Sequence, residues 1–334
     1  MTEGCALLGM DNFCRPGSER NRAALKDLGV ALFHGDVRAA SDFDPLPAVD
    51  WVIDAAANPC VLAGVDGRTS SRQLVEHNLF GTVNMLEFCR ARGAGIILLS
   101  TSRVYSIPPL THLPLRTEGE RFTVAAGGAL PAGLTVAGVN ETFSTAPPLS
   151  LYGVSKKASE DLALEYAFTF NVPVWINRCG VMAGAGQFGR PDQGIVAYWI
   201  HSWRERRPLT YLGFGGTGHQ VRDVLHPQDL ADLLLKQMQA PHAACSKLGN
   251  VSGGAESAFS LAELSAWCGQ RFGSKQPVER NGADRPFDIP WLVLDDAQTR
   301  QAWNWKPQIS RDTIFEEVAQ FAEREPDWLA VSAG

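Results

Sequence analysis

The sequence has 334 residues and is 45% hydrophobic and 20% charged, an ordinary composition for a folded globular chain. A formal net charge of -6 leaves no basic footprint for nucleic acid, and no apolar run is long enough to predict a membrane span. The N-terminus lacks the pattern of a signal peptide, and seven scattered cysteines without a C-x-x-C pair predict a reduced, cytoplasmic chain with no disulfide framework and no metal site.

Up to about residue 180 the chain alternates short apolar segments with helical patterns. The apolar segments are CALLGM (5–10), VALFHGD (30–36), DWVIDAAA (50–57), GIILLSTS (95–102) and VPVWINRC (172–179). Helical patterns lie at 72–93 and 155–170. Nearly continuous apolar strands are typical of parallel sheets that are covered on both faces, so the sequence predicts an α/β fold with a doubly wound parallel sheet.

The stretch 106–150 differs from its surroundings, because it is rich in proline and glycine and shows little periodicity. It is also much longer than an ordinary connection between two elements. Its composition is compatible with a disordered excursion and equally with an insertion that faces a substrate. Both alternatives stay open at this point.

Beyond residue 180 the pattern loosens into a smaller, mixed region. Helical patterns recur at 228–238, 260–273 and 312–325. Ser260 and Glu263 fit a capping box at the start of the second of these helices. We therefore expect a smaller lobe that packs on the sheet domain.

The segment GFGGTG (213–218) matches the G-x-G-x-x-G pattern of dinucleotide-binding loops. Such a loop opens a helix at its third glycine, whereas HQVRDVLH, which follows here, predicts a strand. The glycines therefore predict a hairpin turn between PLTYLG and that strand, and not a phosphate-binding loop.

The strongest chemical signal is YGVSK, which places Tyr152 and Lys156 four residues apart on one helical face. An ammonium beside a tyrosine favours the phenolate, which is the form that acts as a base. Thr101 follows the strand GIILL, and strand ends of doubly wound sheets face the ligand crevice. Each feature alone is more often a surface helix pair or a satisfied strand end. Their combination predicts an active site.

Six short motifs occur in a fixed order along nearly the whole chain. They are GDVR (35–38), DAAA (54–57), NLFGTVNMLE (78–87), STSRVY (100–105), YGVSK (152–156) and RPFD (285–288). Together they resemble the extended short-chain dehydrogenase/reductase family, the NAD-dependent epimerase/dehydratase group that acts on nucleotide sugars. The segments 11–21, 186–200 and 218–230 are similar to a subgroup of these epimerases that acts on C2 of CDP-hexoses.

The resemblance implies a Rossmann-like NAD-binding domain over 1–180, with 106–150 inserted in it and 219–252 returning to it. It implies a substrate-binding lobe built from 181–218 and 253–334. It further implies NAD as the cofactor, a nucleotide sugar as the substrate, with a CDP-sugar favoured, and a homo-oligomer. Nucleic acid and membrane partners are not expected.

Carried over by position, the resemblance implies a catalytic triad of Thr101, Tyr152 and Lys156. Tyr152 would be the acid and base at a sugar hydroxyl, Thr101 would orient that oxygen, and Lys156 would bind the nicotinamide ribose. The residues expected to line the cofactor are Asp11, Asn12, Asp36, Val37, Ala55, Ala56, Ala57, Asn78, Ser100, Tyr152, Lys156 and Cys179, with Asn78 in a mainly structural role.

The substrate site follows from the same resemblance. The residues expected there are Thr101, Ser102, Arg103, Gln187, Gln193, Arg222 and Arg285. Arg222 and Arg285 match positions that hold the diphosphate, a group that suits the planar guanidinium fork.

The implied reaction is epimerisation through transient oxidation of a sugar hydroxyl, with C2 of a CDP-hexose as the favoured centre. One alternative is another nucleotide-sugar reaction, by a 4-epimerase, a decarboxylase or a dehydratase. Ser102–Arg103 stands where a dehydratase would carry an acidic pair, which disfavours dehydration. A second alternative is a non-catalytic protein on the same fold, which the presence of Thr101, Tyr152 and Lys156 disfavours.

The opening stretch MTEGCALLGMDNF departs from the resemblance, because no glycine-rich loop precedes its acidic residue, Asp11. CALLGM matches a second strand, and in the order 3-2-1-4-5-6 the first strand lies between the second and the fourth. We expect about 30 further residues ahead of Met1 in the natural protein, the size of a β-loop-α unit. The chain as written is expected to fold poorly or to pair CALLGM with DWVIDA, and to bind NAD weakly.

Overall fold

The structure is a computed structural model that describes residues 4–65, 67, 70–125, 127, 130–240, 247–273 and 276–332. Its strands are β1 (Leu8–Asp11), β2 (Ala31–His34), β3 (Trp51–Asp54), β4 (Gly95–Thr101), β5 (Leu115–Glu118), β6 (Arg121–Val124), β7 (Val174–Cys179), β8 (Val181–Met182), β9 (Thr210–Leu212), β10 (Val221–Leu225), β11 (Leu248–Val251), β12 (Ala258–Ser260), β13 (Glu279–Asn281) and β14 (Trp291–Leu292). Its helices are α1 (Asn21–Asp27), α2 (Ser71–Val75), α3 (Gly81–Arg92), α4 (Ile107–Thr111), α5 (Leu151–Phe170), α6 (Ile195–Arg204), α7 (Pro227–Gln239), α8 (Leu261–Arg271), α9 (Ala297–Trp303), α10 (Arg311–Arg324) and α11 (Trp328–Ser332).

The largest sheet is parallel and has the order β11-β7-β4-β3. Its central strand β4 is buried on both faces, since Ile96 and Leu98 pack with side chains of α3 and α5 while Ile97 packs with α7. Helices therefore cover both sides of the sheet, which confirms the predicted doubly wound α/β fold.

The strands β1 and β2 form a separate two-stranded parallel sheet, in which Asp11 is the partner of His34. The expected pairing of CALLGM with DWVIDA is wrong, because β1 pairs with β2 and β3 pairs with β4. The reason is local: α1 connects β1 to β2 in a short β-α-β unit, and β1 forms its hydrogen bonds with β2 inside this unit. Leu8 and Ile53, on these two strands, remain 41% and 39% exposed.

The predicted helices are present, with small shifts at their ends. The pattern at 72–93 is a continuous helix from α2 to α3 with a π-helical turn, Glu76–Phe80, between them. α5 begins four residues before the predicted start, because the Ser150 hydroxyl accepts a hydrogen bond from the Gly153 amide and caps it. The capping box of Ser260 and Glu263 is confirmed at α8.

The smaller lobe is built around β10, which pairs with β12, β14 and β8. α6, α8 and α10 bury their apolar faces together in its core. The predicted hairpin at 213–218 is wrong, since β9 pairs with β13 and not with β10. No helix opens at Gly218; a single 3-10 turn, Phe214–Gly216, leads into the extended segment before β10.

The stretch 106–150 is a folded part of the molecule wherever the structure describes it. It forms α4 and the antiparallel β5–β6 pair. Val139 bridges to Leu294, and both residues are completely buried. The disordered alternative is therefore wrong for the described residues, and the substrate-facing alternative stays a prediction.

Within the described ranges, no helix is both long and apolar enough to span a membrane. Among the same residues, no group of three or more histidine, cysteine, aspartate or glutamate side chains is arranged to hold a metal ion. Cys245 lies outside the described residues.

The two parallel sheets should differ in local stability. A two-stranded sheet on its own is marginal in water, whereas β4 is buried on both faces and paired on both edges. We expect the β1 and β2 amides to exchange with deuterium on the order of 100-fold faster than those of β4. Hydrogen–deuterium exchange with peptide-level mass spectrometry measures this, and equal protection of both sheets would contradict it.

Candidate active site

The predicted catalytic side chains lie where the carboxyl ends of β4 and β7 meet the start of α5. Thr101 is the last residue of β4 and pairs across the sheet with Cys179 of β7. Tyr152 and Lys156 occupy the first two turns of α5. The Thr101 Oγ1 accepts a hydrogen bond from the Arg103 amide at 3.2 Å, so its own proton remains available for another acceptor.

Gly153 allows α5 to approach the turn after β4 closely. A Cβ atom at this position would lie 2.3 Å from the Arg103 carbonyl oxygen, a distance that no side chain tolerates. The glycine of the YGVSK motif therefore has a steric purpose. It sets Tyr152 beside the turn that carries Thr101 and Arg103.

Lys156 is buried at the base of this site, with 2% of its surface exposed. Its ammonium lies near Asp54, the last residue of β3, and near Cys179. Burial raises the pKa of Asp54, and Lys156 and the Thr82 hydroxyl partly oppose this rise. Burial also raises the pKa of the Cys179 thiol to about 12, so this thiol stays protonated at neutral pH.

Asp54 was missed by the sequence interpretation, which named only the three alanines after it. Its Oδ2 accepts a hydrogen bond from Thr82 Oγ1 at 2.7 Å, while its buried Oδ1 has no partner among the described residues. The sequence does carry a signal for it, because an acidic residue directly after the apolar run WVI marks the carboxyl end of a strand.

Behind the site, a buried polar network joins α5 to both central strands. Arg178 of β7 donates two hydrogen bonds to Glu160 of α5, from Nε at 3.0 Å and from Nη2 at 2.7 Å. Ser100 of β4 donates to the same carboxylate at 2.5 Å. Ser100, expected at the cofactor, thus has its hydroxyl engaged inside the protein, one residue from Thr101.

Asn78 occupies the π-helical turn and is almost fully buried. Its Oδ1 accepts from the Asn58 amide at 2.7 Å, and its Nδ2 donates to the Asn58 carbonyl and to Ser155 Oγ. These contacts tie the loop after β3 to α5 beside Lys156. They support the mainly structural role expected for Asn78.

The residues expected at the adenosine end of the cofactor come together at the ends of β1 and β2. Asn12 donates to Asp36 Oδ2 at 3.0 Å, and Arg38 forms an ion pair with the same carboxylate at 2.6 Å. Hydrogen bonds from Arg38 hold the pKa of Asp36 well below its usual range, so Asp36 is ionised. Asp11 is exposed and accepts from the Phe13 amide.

Two further predicted cofactor segments flank this edge. The Val37 side chain packs against Gly81 at the start of α3, where a Cβ would lie 2.8 Å from it. Ala55 and Ala57 are exposed in the loop after β3, while Ala56 packs against the apolar core under the sheet. This backbone therefore lies open at the carboxyl edge of the sheet.

The predicted diphosphate ligands, Arg222 and Arg285, both lie near Arg103. Arg222 donates from Nη1 and Nη2 to the carbonyls of Val221 and Ile289, both at 2.7 Å, and lies 3.7 Å from Asp288. Burial lowers the pKa of Arg222 and lowers that of Arg103 to about 10, which still leaves both guanidiniums charged at neutral pH.

Gln187 and Gln193 lie in the loop between β8 and α6. Gln187 Nε2 donates to the Met182 carbonyl at 2.8 Å, and its buried Oε1 has no partner among the described residues. The backbone of Gln193 pairs with that of Arg190. Arg15 was not predicted, yet it reaches this loop by donating to the Phe188 carbonyl at 3.3 Å.

The residues at the carboxyl edge fit a dinucleotide with hydroxyl-rich sugars. Asp54 Oδ1 is buried without a hydrogen-bond partner among the described residues, and the almost fully buried Lys156 lies near this carboxylate. Buried charges ordinarily have polar partners. An ammonium near an unpartnered carboxylate oxygen at a strand end suits a ribose diol.

The fold is of the Rossmann type, and the predicted Tyr152 and Lys156 lie at the carboxyl edge of its sheet. The chain belongs to the NAD dependent epimerase/dehydratase family, whose model matches residues 1–251. The family resemblance drawn from the motifs is thus confirmed. NAD is the cofactor of this family, as the sequence analysis expected.

Two curated relatives and one solved structure place the chain within this family. It is 29% identical over 328 residues to the CDP-paratose 2-epimerase of Salmonella typhi, covering 93% of this chain and 90% of that protein. It is 26% identical to UDP-glucuronic acid decarboxylase 1 of Arabidopsis thaliana over 79% of this chain, but spans only 54% of that protein. The UDP-glucose 4-epimerase from Bifidobacterium longum, solved in complex with NAD+ and UDP, has the same fold, with a TM-score of 0.75 at 19% identity over 97% of this chain and 93% of that one.

Breaking the buried ion pair between Glu160 and Arg178 should lower the free energy of unfolding far more than changing a neighbouring exposed residue. Glu160→Gln leaves Arg178 buried without a counter-charge, so we expect a loss of about 3–5 kcal/mol of unfolding free energy. Asp161→Asn, on the neighbouring exposed residue, should cost less than about 0.5 kcal/mol. Urea unfolding followed by tryptophan fluorescence compares the two, and similar costs would contradict the assignment.

Proposed function

We propose that this protein is a nucleotide-sugar epimerase that acts by transient oxidation of a sugar hydroxyl. The observation that carries the proposal is the assembly of Thr101, Tyr152 and Lys156 at the carboxyl ends of β4 and β7. Gly153 brings the first turn of α5 against the turn after β4. Lys156, in the second turn of α5, is almost fully buried.

In this proposal each residue of the triad has one task. Tyr152 removes the proton from the reacting hydroxyl and later returns it, and Lys156 lies one turn further along α5. Thr101 donates its free proton to the sugar oxygen and so orients it. When bound, NAD supplies the acceptor and donor of hydride for the sugar carbon. Lys156, Asp54 and the loop at 55–57 would hold the nicotinamide half, and Asp11, Asn12 and Asp36 the adenosine half.

Between oxidation and reduction the keto sugar must turn its other face to the cofactor. Arg222 and Arg285 would hold the diphosphate during this turn, so that the sugar alone reorients. Two backbone carbonyls fix the Arg222 guanidinium in place before substrate arrives, which lowers the entropic cost of binding.

We propose C2 of a CDP-hexose as the reaction centre. The alignment with the Salmonella protein supports this choice, since it covers both chains almost completely. Decarboxylation and 4-epimerisation of a UDP-sugar are the competing proposals, and the relative from Arabidopsis thaliana supports decarboxylation over a shorter span. Mass spectrometry separates an epimerase, which conserves the mass of the sugar, from a dehydratase, which removes water, and a decarboxylase, which removes carbon dioxide. NMR of the product then identifies the carbon that is inverted.

Replacing the proposed acid and base tests the mechanism. In Tyr152→Phe the proton acceptor is gone while the ring still packs, so we expect kcat to fall by about 100-fold or more. The assay uses CDP-paratose, and UDP-glucuronic acid in parallel, with excess NAD and NMR of the products.

Tyr166→Phe is the matched control, because this tyrosine lies on the same helix but bonds to Glu87, away from the strand ends. Its activity should equal that of the unmodified protein. Full turnover by the Tyr152 variant would refute the assignment.

We further propose that the protein is a cytoplasmic homo-oligomer that associates through α3 and α5. Large apolar side chains remain exposed at the end of α5, with Phe168 at 88% and Phe170 at 48%, and in the π-helical turn that leads into α3, with Phe80 at 54%. Such exposed surface favours association with a second copy.

Phe168→Ser should therefore shift the protein towards monomer, because it removes the most exposed of these rings. Size-exclusion chromatography with light scattering measures the mass. Val136→Ser is the control, since Val136 is 99% exposed in the 106–150 segment. A monomeric unmodified protein, or equal masses for all variants, would contradict the proposal.

A further inference from the structure

Arg103 is a basic residue placed between the proposed proton acceptor and the proposed diphosphate clamp. It follows Thr101 by two residues, in the turn that packs on Gly153 beside Tyr152. Its Nη1 reaches the opposite wall of the cleft, where it donates to the Phe287 carbonyl at 3.1 Å. Arg285 and Asp288 belong to the same loop as Phe287.

The charged groups around Arg103 include two other arginines. Arg222 and Arg285 both act on it as positive neighbours, and Asp288 is the negative neighbour that opposes them. Asp288 lies 3.7 Å from Arg222, which also has Asp223 as a negative neighbour. Among the described residues, Arg103 and Arg285 have no carboxylate within ion-pair distance. Burial of a guanidinium without a close counter-charge is costly unless an anion joins it.

A small cavity of about 60 Å³ opens at this cluster. The residues that line it include Arg103, Arg285, Asp288, Asp192, Val61 and Leu62. Leu62 also packs in the apolar cluster that holds the Tyr152 ring, so the cavity adjoins the proposed reaction centre. Its size suits a single carboxylate or phosphoryl group, and not a whole nucleotide sugar.

We propose that Arg103 binds an oxyanion of the substrate in this cavity and so contributes to the choice of substrate. The proposal rests on the proposed function, because it assumes that a nucleotide sugar spans from Arg222 and Arg285 to Tyr152. Two sources can supply the oxyanion: a carboxylate on the sugar or an oxygen of the diphosphate.

Binding of three probes to the full chain, in the presence of NAD, separates these sources. UDP-glucose and UDP-glucuronic acid differ only in the group at C6, and inorganic pyrophosphate contains the diphosphate alone. Isothermal titration calorimetry at low salt compares the unmodified protein with Arg103→Gln. We expect the variant to bind at least one probe about tenfold more weakly or worse, as for a lost hydrogen bond to a charged group.

Each pattern of loss has one meaning. Loss for UDP-glucuronic acid alone identifies a sugar carboxylate, and equal loss for all three probes identifies the diphosphate. Unchanged binding of every probe overturns the role of Arg103 but leaves the proposed function standing. If the unmodified protein binds none of the probes, pyrophosphate included, the proposed diphosphate clamp of Arg222 and Arg285 fails together with the role of Arg103.

Two further variants guard against an indirect effect. Arg103→Lys keeps the charge but loses the fork, so it should retain part of the affinity that Arg103→Gln loses. Arg116→Gln removes an exposed arginine in β5 and should bind every probe as the unmodified protein does. If the Lys variant binds as weakly as the Gln variant although both melt at the same temperature as the unmodified protein, the charge is not what binds and the proposal falls.

Discussion

The buried ion pair between Glu160 and Arg178 is the interaction on which the arrangement of the site depends. It joins α5 to β7, and Ser100 extends it to β4, so three elements share one carboxylate. The ion pair lies next to two of the proposed catalytic residues, because Glu160 is one helical turn beyond Lys156 and Ser100 directly precedes Thr101. Because a broken buried pair leaves an uncompensated charge, α5 cannot slide or rotate on the sheet without a large cost. The spacing of Thr101 and Lys156 is fixed by this constraint.

Two further contacts, at Gly153 and at Asn78, also hold α5 in position. Gly153 lets the first turn of α5 touch the backbone of Arg103, and Asn78 anchors the loop after β3 to the second turn. The side chains that would do chemistry therefore lie on α5 and at the end of β4, while the groups that would choose the substrate come from the turn after β4, from β10 and from the loop around Arg285. This division explains how one scaffold can serve several nucleotide-sugar reactions.

The sheet is less uniform than its family resemblance suggests. β4 and β7 are paired on both edges and covered on both faces, whereas β1 and β2 form a ladder of their own. The adenosine end of the proposed cofactor site, with Asp11 and Asp36, stands on this smaller ladder. The nicotinamide end stands on the larger sheet. The two halves of the site thus rest on supports of unequal stability.

Local patterns in the sequence predicted the main helices and three of the four strands of the larger sheet, β3, β4 and β7, because periodicity and capping residues act over a few residues. The Ser260 capping box and the helix at 72–93 are examples. Which strands pair was decided by tertiary structure: β1 joined β2 and not β3, and β9 and β10 entered different sheets. Asp54 and Arg103 likewise gained their meaning from burial and neighbours far apart in sequence. The sequence specifies which side chains carry a charge, but the burial and the neighbouring charges that act on them are set only when the chain folds.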